Sequence, residues 1–166
     1  MSRLDSFIRR LEAQRACLDR AAALIGDISG PVLELGLGNG RTFDHLRTIL
    51  PGRDIFVFDR EIAAHPDCIP AADRLILGDM RVTLPASRGR FPASVALAHL
   101  DVGTGEEAAS RALAASLAPL IAPLMRDGAI VVSEAPLDLA GWRALALPAG
   151  VAVGRYHLYR VEAAAG

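Results

Sequence analysis

Apolar residues recur at helical spacing in the first part of the chain and gather into short runs further on. Residues 3–26 place Leu4, Ile8 and Leu11 on one face with charged residues between them, which predicts an amphipathic helix that Gly26 ends. Later apolar runs predict strands at residues 32–35, 54–59, 74–79, 94–101 and 129–134. The second of these runs is apolar throughout rather than alternating, as expected for a strand buried on both faces of a parallel sheet.

Helical patterns lie between the predicted strands. Residues 41–50 place Phe43 and Leu46 on one face, and residues 106–125 are largely helical, with Pro119 expected to kink or split that helix. The alternation of strands with helices is typical of an α/β fold whose sheet is covered on both faces.

The last part of the chain predicts shorter elements. The pair Asp127-Gly128 is typical of a turn, and residues 138–145 predict a short helix. Two further strands near residues 144–148 and 156–161 flank a Pro-Ala-Gly turn, and we expect them to form an antiparallel edge.

These elements combine into one predicted architecture. We expect a three-layer, doubly wound and mostly parallel seven-stranded sheet with an antiparallel edge strand over residues 31–166, preceded by an N-terminal helix within residues 1–28. No internal repeat or linker divides the sequence. Residues 1–166 are therefore predicted to form a single domain.

The composition points away from nucleic acids and membranes. The 166 residues carry a net charge of −1, and all 18 basic residues are arginines scattered along the chain, so we expect no nucleic-acid partner. The most apolar long run, residues 112–125, is too short to cross a bilayer and contains prolines. The sequence shows no signal-peptide pattern, and Cys17 and Cys68 lack metal-ligand spacing, which predicts a cytoplasmic protein without a membrane partner.

The first predicted strand leads into a glycine-rich turn, E-L-G-L-G-N-G-R, which runs from Glu34 to Arg41. Ligands of a doubly wound sheet bind beyond the carboxyl ends of its strands. Glycine at positions 36, 38 and 40 lets the backbone pass close to a ligand with positive φ, and the helix that follows offers free N–H groups. The dinucleotide fingerprint G-x-G-x-x-G needs a glycine where this chain has Arg41.

Read with its leading acid, the turn has the form E-x-G-x-G-x-G, and residues 31–135 resemble the class I S-adenosylmethionine-dependent methyltransferases. The resemblance implies that Asp59 accepts both ribose hydroxyls of S-adenosyl-L-methionine, and that Asp79 and the backbone of Met80 meet the adenine. Taken alone, Asp79 could equally cap a helix. Glu34 is expected behind the loop, near the cofactor's ammonium, where an acid favours a sulfonium over a pyrophosphate. The predicted cofactor-binding residues are Glu34, Gly36, Gly38, Gly40, Asp59, Asp79, Met80 and His99.

The end of the fourth predicted strand, Ala98-His-Leu-Asp101, is where this family places acceptor-side residues. It lacks the Asp/Asn-Pro-Pro-aromatic run of nitrogen methyltransferases, and His99 stands where metal-dependent O-methyltransferases have an Asp. His99 and Asp101 are the predicted catalytic residues. They either hold a divalent ion with Glu134 or act as a general base oriented by an acid; as structural residues, His99 would be hydrogen-bonded and Asp101 a helix cap. We favour the base and predict no metal site, because this donor set suits a hard cation poorly.

The sequence therefore predicts a methyltransferase for a small-molecule acceptor. No long insertion is available to bind a larger substrate, so either the acceptor is small or a second subunit of a homo-oligomer completes its pocket, with the N-terminal helix across the pocket mouth. Two alternatives stay open. A nicotinamide-dependent Rossmann oxidoreductase is disfavoured by Arg41 and by the lack of any lysine for a Tyr-x-x-x-Lys pair, and a non-catalytic S-adenosylmethionine-binding module is the other.

Overall fold

A computed structural model describes residues 2–162 and shows a seven-stranded sheet between helices. The strands are β1 Val32–Leu35, β2 Ile55–Asp59, β3 Leu75–Leu77, β4 Val95–Leu100, β5 Met125–Ser133, β6 Trp142–Ala144 and β7 His157–Val161. The helices are α1 Arg3–Leu24, α2 Arg41–Ile49, α3 Met80–Ala86 and α4 Glu107–Ile121. Short 3-10 turns lie at Pro66–Cys68, Ala72–Arg74, Ser87–Gly89 and Ala122–Leu124.

The strand order is β3-β2-β1-β4-β5-β7-β6. Strands β1 to β5 are parallel to one another, and β7 runs antiparallel to both β5 and β6. The predicted α/β fold, with a doubly wound, mostly parallel seven-stranded sheet and an antiparallel edge, is confirmed. The order reverses between β1 and β4, so a ligand site is expected beyond their carboxyl ends.

Two apolar clusters, one on each face of the sheet, form the core. Helices α1 and α2 pack on one face through Leu18 and Leu46, and α3 and α4 pack on the other through Leu84 and Leu117. Every residue of β1 and β4 is buried, as the apolar runs predict. Burial of each leucine or valine side chain in these two strands stabilises the fold by roughly 1.5–3 kcal/mol. Within residues 2–162, no helix is long and apolar enough to cross a membrane.

Helix α1 packs along one face of the sheet, and its first half reaches the carboxyl edge at which the pocket is expected. It begins with a capping box in which the Ser2 hydroxyl accepts from the Asp5 amide, and the Asp5 carboxylate accepts from the Ser2 amide, both at 3.0 Å. The helix packs against α2, β5 and β7. This placement brings Arg10 and Gln14 to the carboxyl ends of β4 and β5, where they contact Asp101.

The structure differs from the sequence-based expectations near the end of the chain. Residues 138–145 do not form the predicted helix, because residues 142–144 pair with β7 instead. Asp127-Gly128 does not end a segment; it lies inside β5 as an irregularity, where the register with β4 shifts. Pro119 does not split α4, which continues to Ile121.

Candidate functional site

The glycine loop joins β1 to α2 at the carboxyl edge of the sheet, and all three of its glycines have positive φ. A Cβ at Gly36 would lie 2.3 Å from the Asp101 carbonyl oxygen, and one at Gly40 would lie 2.4 Å from the Cys68 Cβ. Both positions therefore need glycine, because the protein that packs against them leaves no room for a side chain. Gly38, with φ +50°, has nothing within 4 Å of its built Cβ. Its open surroundings fit a cradle for a ligand.

Asp59 ends β2 beside this loop. One carboxylate oxygen accepts from the amides of Leu37 at 2.7 Å and Gly38 at 3.2 Å, and the other accepts from Arg60 at 2.6 Å and Glu61 at 3.4 Å. The carboxylate thus fixes the glycine loop over the end of β2. A ribose diol brought to this point would share the same oxygens.

Asp79 lies beyond the end of β3, the strand next to β2. Its side chain accepts from the Arg81 amide at 2.9 Å and caps α3, so the cap considered from the sequence is present. The carboxylate is still 44% exposed and has room for a second partner. Met80 is buried and packs in the core beneath, which leaves its backbone as the part available to a ligand.

Glu34 and His99 form a fully buried pair on neighbouring strands. His99 Nδ1 lies 2.7 Å from one Glu34 carboxylate oxygen, and the Thr42 hydroxyl donates to the other. Glu34 therefore links β1, β4 and the first turn of α2. In this arrangement both oxygens of its carboxylate have protein partners.

The pair belongs to a longer hydrogen-bonded chain, which we call the buried relay: Thr42, Glu34, His99, Tyr156, Gln14 and Asp101. His99 Nε2 lies 2.8 Å from the Tyr156 hydroxyl. The Gln14 amide donates to that hydroxyl at 2.8 Å and to the Asp101 carboxylate at 2.7 Å. The relay connects the glycine-loop side of the sheet to the end of β4 through α1.

Burial and neighbouring carboxylates change the pKa of His99 and of Tyr156, the two rings in the relay. Burial lowers the pKa of His99, but the charge and hydrogen bond of Glu34, with smaller effects from Asp101 and Glu134, raise it above its ordinary value. Burial, supported by the same acids, raises the pKa of Tyr156 well above its ordinary value. Because both ring nitrogens of His99 are occupied and its side chain is fully buried, a general base facing a transferred methyl does not fit this position.

Arg10 closes the relay at the surface. Its guanidinium donates to Asp101 at 3.0 Å and to the two oxygens of Glu134 at 2.6 and 3.0 Å. A cation thus already stands between the acids considered for a metal site, and no group of three or more metal-ligating side chains is found within residues 2–162. Asp101 does not cap the following helix, because Glu106 does.

A cleft of about 600 Å³ opens beyond the carboxyl ends of β4 and β5. Its apolar lining comes from Leu100, Val102, Ala114, Ala135 and Pro136. Its polar lining includes Arg10, Glu106, Glu107, Ser110, Arg111, Ser133, Glu134 and Arg155. The Asp101 backbone lies against Gly36, and its side chain bonds to Arg10, which lines the cleft. Asp101 therefore stands between the glycine loop and a residue of the cleft wall.

Sequence reasoning missed Arg10, Gln14 and Tyr156. A signal was present in the sequence, because Gln14 is a polar residue at helical spacing between Leu11 and Leu18, and residue 10 lies four positions before it on the same face. The structure shows that Gln14 is buried to 6% exposure. Tyr156 carries no such local signal, because its partners come from β4 and α1.

Comparison with known proteins gives one family and a set of similar structures. Residues 1–161 match a family described as S-adenosyl-L-methionine methyltransferase. The crystal structure of an S-adenosyl-L-methionine methyl transferase from Silicibacter pomeroyi DSS-3 is 47% identical, with a TM-score of 0.93 over 97% of this chain and 99% of that chain. A comparison with curated proteins gives no significant match.

More distant structures share the fold alone. The antibiotic-resistance methyltransferase Kmr is 13% identical, with a TM-score of 0.56 over 89% of this chain and 92% of that one. The MycE methyltransferase from the mycinamycin biosynthetic pathway, solved with Mg and S-adenosylhomocysteine, is 16% identical, with a TM-score of 0.54 over 87% of this chain and 44% of that one.

Proposed function

Because the chain belongs to the S-adenosyl-L-methionine methyltransferase family, we propose that it transfers the methyl group of S-adenosyl-L-methionine to a small-molecule acceptor held in the cleft beside β4 and β5. Family membership supports the methyltransferase hypothesis over the nicotinamide alternative. The family fixes the reaction and the cofactor, and the acceptor must be inferred from the cleft.

The size of the cleft is the observation that carries this proposal. Its volume of about 600 Å³ lies within the range of roughly 300–1,000 Å³ that small-molecule pockets occupy. Its walls come from α1, α4 and the ends of β4 and β5. A small molecule would fill this space, whereas a protein or nucleic-acid acceptor would need an extended surface.

We propose that the cofactor lies over the glycine loop, with Asp59 at its ribose and Asp79 and the Met80 backbone at its adenine. The open surroundings of Gly38 and the exposed carboxylate of Asp79 support this placement. When bound, S-adenosyl-L-methionine supplies an electrophilic methyl group on a sulfonium. This chain's residues bind it and orient the acceptor, which can provide much of the rate acceleration.

We further propose separate roles for the two predicted catalytic residues. His99 is a positioning residue that holds Glu34 and Tyr156 in the buried relay. Asp101 keeps 21% of its side chain exposed, between Gly36 of the glycine loop and Arg10 of the cleft wall. It is therefore our candidate for the group beside the reacting atoms, where its carboxylate, held by Arg10 and Gln14, would orient the acceptor.

Three further expectations are kept as proposals. The sheet takes strands from β1 to β7, which supports a single methyltransferase domain over residues 1–166.

Cys17 and Cys68 are free thiols, and burial raises the pKa of Cys17 to about 11. Unpaired cysteines suit the cytoplasm. Exposed Leu4, Phe7 and Ile8 at the start of α1 support a homo-oligomer.

The test is a transfer assay with S-adenosyl-L-methionine labelled in its methyl group. The purified protein is incubated separately with a small-metabolite extract, a total RNA fraction and a protein fraction. We expect label in the small molecules, together with release of S-adenosylhomocysteine. Label confined to RNA or protein would contradict the small-molecule acceptor.

A further inference from the structure

We propose that the cleft recognises a carboxylate on its acceptor through Arg155, with Ser133 as a second donor. This inference rests on the proposed function and narrows the substrate to a class: a small, largely apolar molecule bearing one carboxylate. The unpaired polar groups of the cleft lining point to this chemistry.

Arg155 is the cleft arginine without an acidic partner. Arg10 is bound to Asp101 and Glu134, whereas the Arg155 guanidinium makes one hydrogen bond, to the Ser6 hydroxyl at 3.3 Å. No carboxylate within residues 2–162 pairs with it. A half-buried guanidinium without a counter-ion is a ready site for an anion, because hydrogen bonds to charged groups are the stronger ones.

The acids that line the cleft are engaged by other groups. Glu107 pairs with Arg111 at 2.6 Å, and both oxygens of Glu106 accept from backbone amides at the start of α4. No carboxylate within residues 2–162 forms an ion pair with Arg155 itself, so a ligand can supply its counter-ion.

Ser133 provides an independent observation. It ends β5, lines the cleft and is fully buried, yet its hydroxyl has no hydrogen-bond partner within residues 2–162. His157, its cross-strand neighbour on β7, likewise has a buried Nε2 without a partner there. Buried polar atoms are normally paired. A ligand oxygen at the end of β5 would satisfy the Ser133 hydroxyl.

The charge around the site favours a carboxylate over a phosphate. Glu106, Glu107 and Glu134 all line the cleft, and their field disfavours a dianion. A planar carboxylate matches the two-pronged guanidinium. The apolar lining by Leu100, Val102, Ala114, Ala135 and Pro136 suits an aromatic or aliphatic body.

The experiment uses fragments, because the acceptor itself is unidentified. Protein saturated with S-adenosylhomocysteine is titrated with benzoate, benzamide and phenyl phosphate, and binding is followed by NMR chemical-shift changes. We expect benzoate to bind at least about tenfold more tightly than benzamide, because only benzoate offers a charged acceptor. Phenyl phosphate should bind more weakly than benzoate.

Variants of Arg155 and Ser133, with a control variant, test whether these residues cause the preference for benzoate. Arg155→Gln should remove the preference for benzoate over benzamide, Arg155→Lys should retain part of it, and Arg88→Gln, which removes an arginine beyond the end of α3, should leave it unchanged. Ser133→Ala should weaken benzoate binding without lowering the free energy of unfolding, because the hydroxyl has no partner to lose.

The outcomes separate this inference from the proposed function. Failure of the wild-type protein to bind S-adenosylhomocysteine would count against the proposed function. Normal binding of that ligand with equal affinities for benzoate and benzamide, or with a preference unaffected by Arg155→Gln, would overturn the carboxylate site. Tighter, Arg155-dependent binding of phenyl phosphate would overturn the carboxylate in favour of a phosphate.

Discussion

At the scale of single residues, Gly38 is a position where an added side chain would meet no protein, although its φ of +50° favours glycine. A Cβ there meets no protein atom, so a larger side chain projects into the space that we assign to the cofactor. We predict that Gly38→Val abolishes S-adenosylhomocysteine binding in isothermal titration calorimetry, while circular dichroism still shows a folded protein. Gly150→Val is the matched control, because Gly150 has φ +84° and equally open surroundings. Tight binding by folded Gly38→Val would disprove the cofactor placement.

Asp59 should contribute to binding through the ribose and through the loop that it holds. We predict that Asp59→Ala weakens S-adenosylhomocysteine binding by about 1–3 kcal/mol, the cost of stranding hydrogen-bonding partners. For an analogue that lacks both ribose hydroxyls, the same substitution should cause a smaller loss of affinity, as measured by calorimetry. Some loss should persist, because the Leu37 and Gly38 amides also lose their acceptor. Equal losses for the two ligands would show that Asp59 acts on the loop alone.

His99 gives a pH-dependent prediction. Its pKa is raised in the folded protein, so the stability it contributes is full below the unfolded pKa of about 6.5 and is lost as pH rises through the folded pKa. The unfolding free energy of the wild type should therefore exceed that of His99→Gln most at low pH, and the difference should shrink as pH rises. Glu34→Gln should flatten the same dependence in urea denaturation. If the difference in unfolding free energy between the wild type and His99→Gln grew as pH rises, the prediction would be wrong.

Residues whose positions follow from a local motif could be placed from the sequence, and residues whose partners are distant could not. The glycines and Asp59 act within one strand-turn-helix unit and its neighbouring strand, and the structure brings them together. His99 was placed correctly at the end of a strand, but its burial depends on Tyr156 and α1. No pattern around residue 99 shows that a tyrosine hydroxyl occupies its second nitrogen.

At the scale of elements, α1 connects the two halves of the site. Tyr156→Phe removes the hydroxyl that joins Gln14 to His99. We predict a loss of about 1–3 kcal/mol in unfolding free energy and a several-fold loss in S-adenosylhomocysteine affinity, because the relay ends at Thr42 on the glycine-loop helix. Tyr159→Phe is the control: it removes a buried hydroxyl bonded to the Leu137 amide and should lower stability without changing that affinity. If Tyr156→Phe and Tyr159→Phe changed the affinity for S-adenosylhomocysteine equally, the relay would have only a structural role.

The elements that the sequence predicted well are those whose own residues are mostly apolar, so that their burial can be inferred from composition alone. Strands β1, β2 and β4 are apolar runs covered on both faces. The segment 138–145 was predicted as a helix, and β6 forms there because β7 offers an edge to pair with. Helix α1 was found from its spacing, but its position along the sheet depends on which strands leave a groove open, and local periodicity does not encode that.

At the scale of the whole molecule, the site is an assembly of distant segments. The cleft combines Arg10 from α1, Glu134 from the end of β5 and Arg155 from the segment before β7. The topology of the sheet brings these segments to one edge, so the cleft appears only when the chain is folded. Asp101 lies between the glycine loop and Arg10 of the cleft wall. On our proposal, this places the two bound molecules side by side, as methyl transfer requires.

The structure of the S-adenosylhomocysteine complex tests this central claim most directly. We predict that the ribose hydroxyls contact Asp59, that the adenine lies beside Asp79, and that the sulfur opens toward the cleft near Asp101 and Val102. A ligand bound away from the glycine loop, or a sulfur atom closed off from the cleft by β4, would contradict the account.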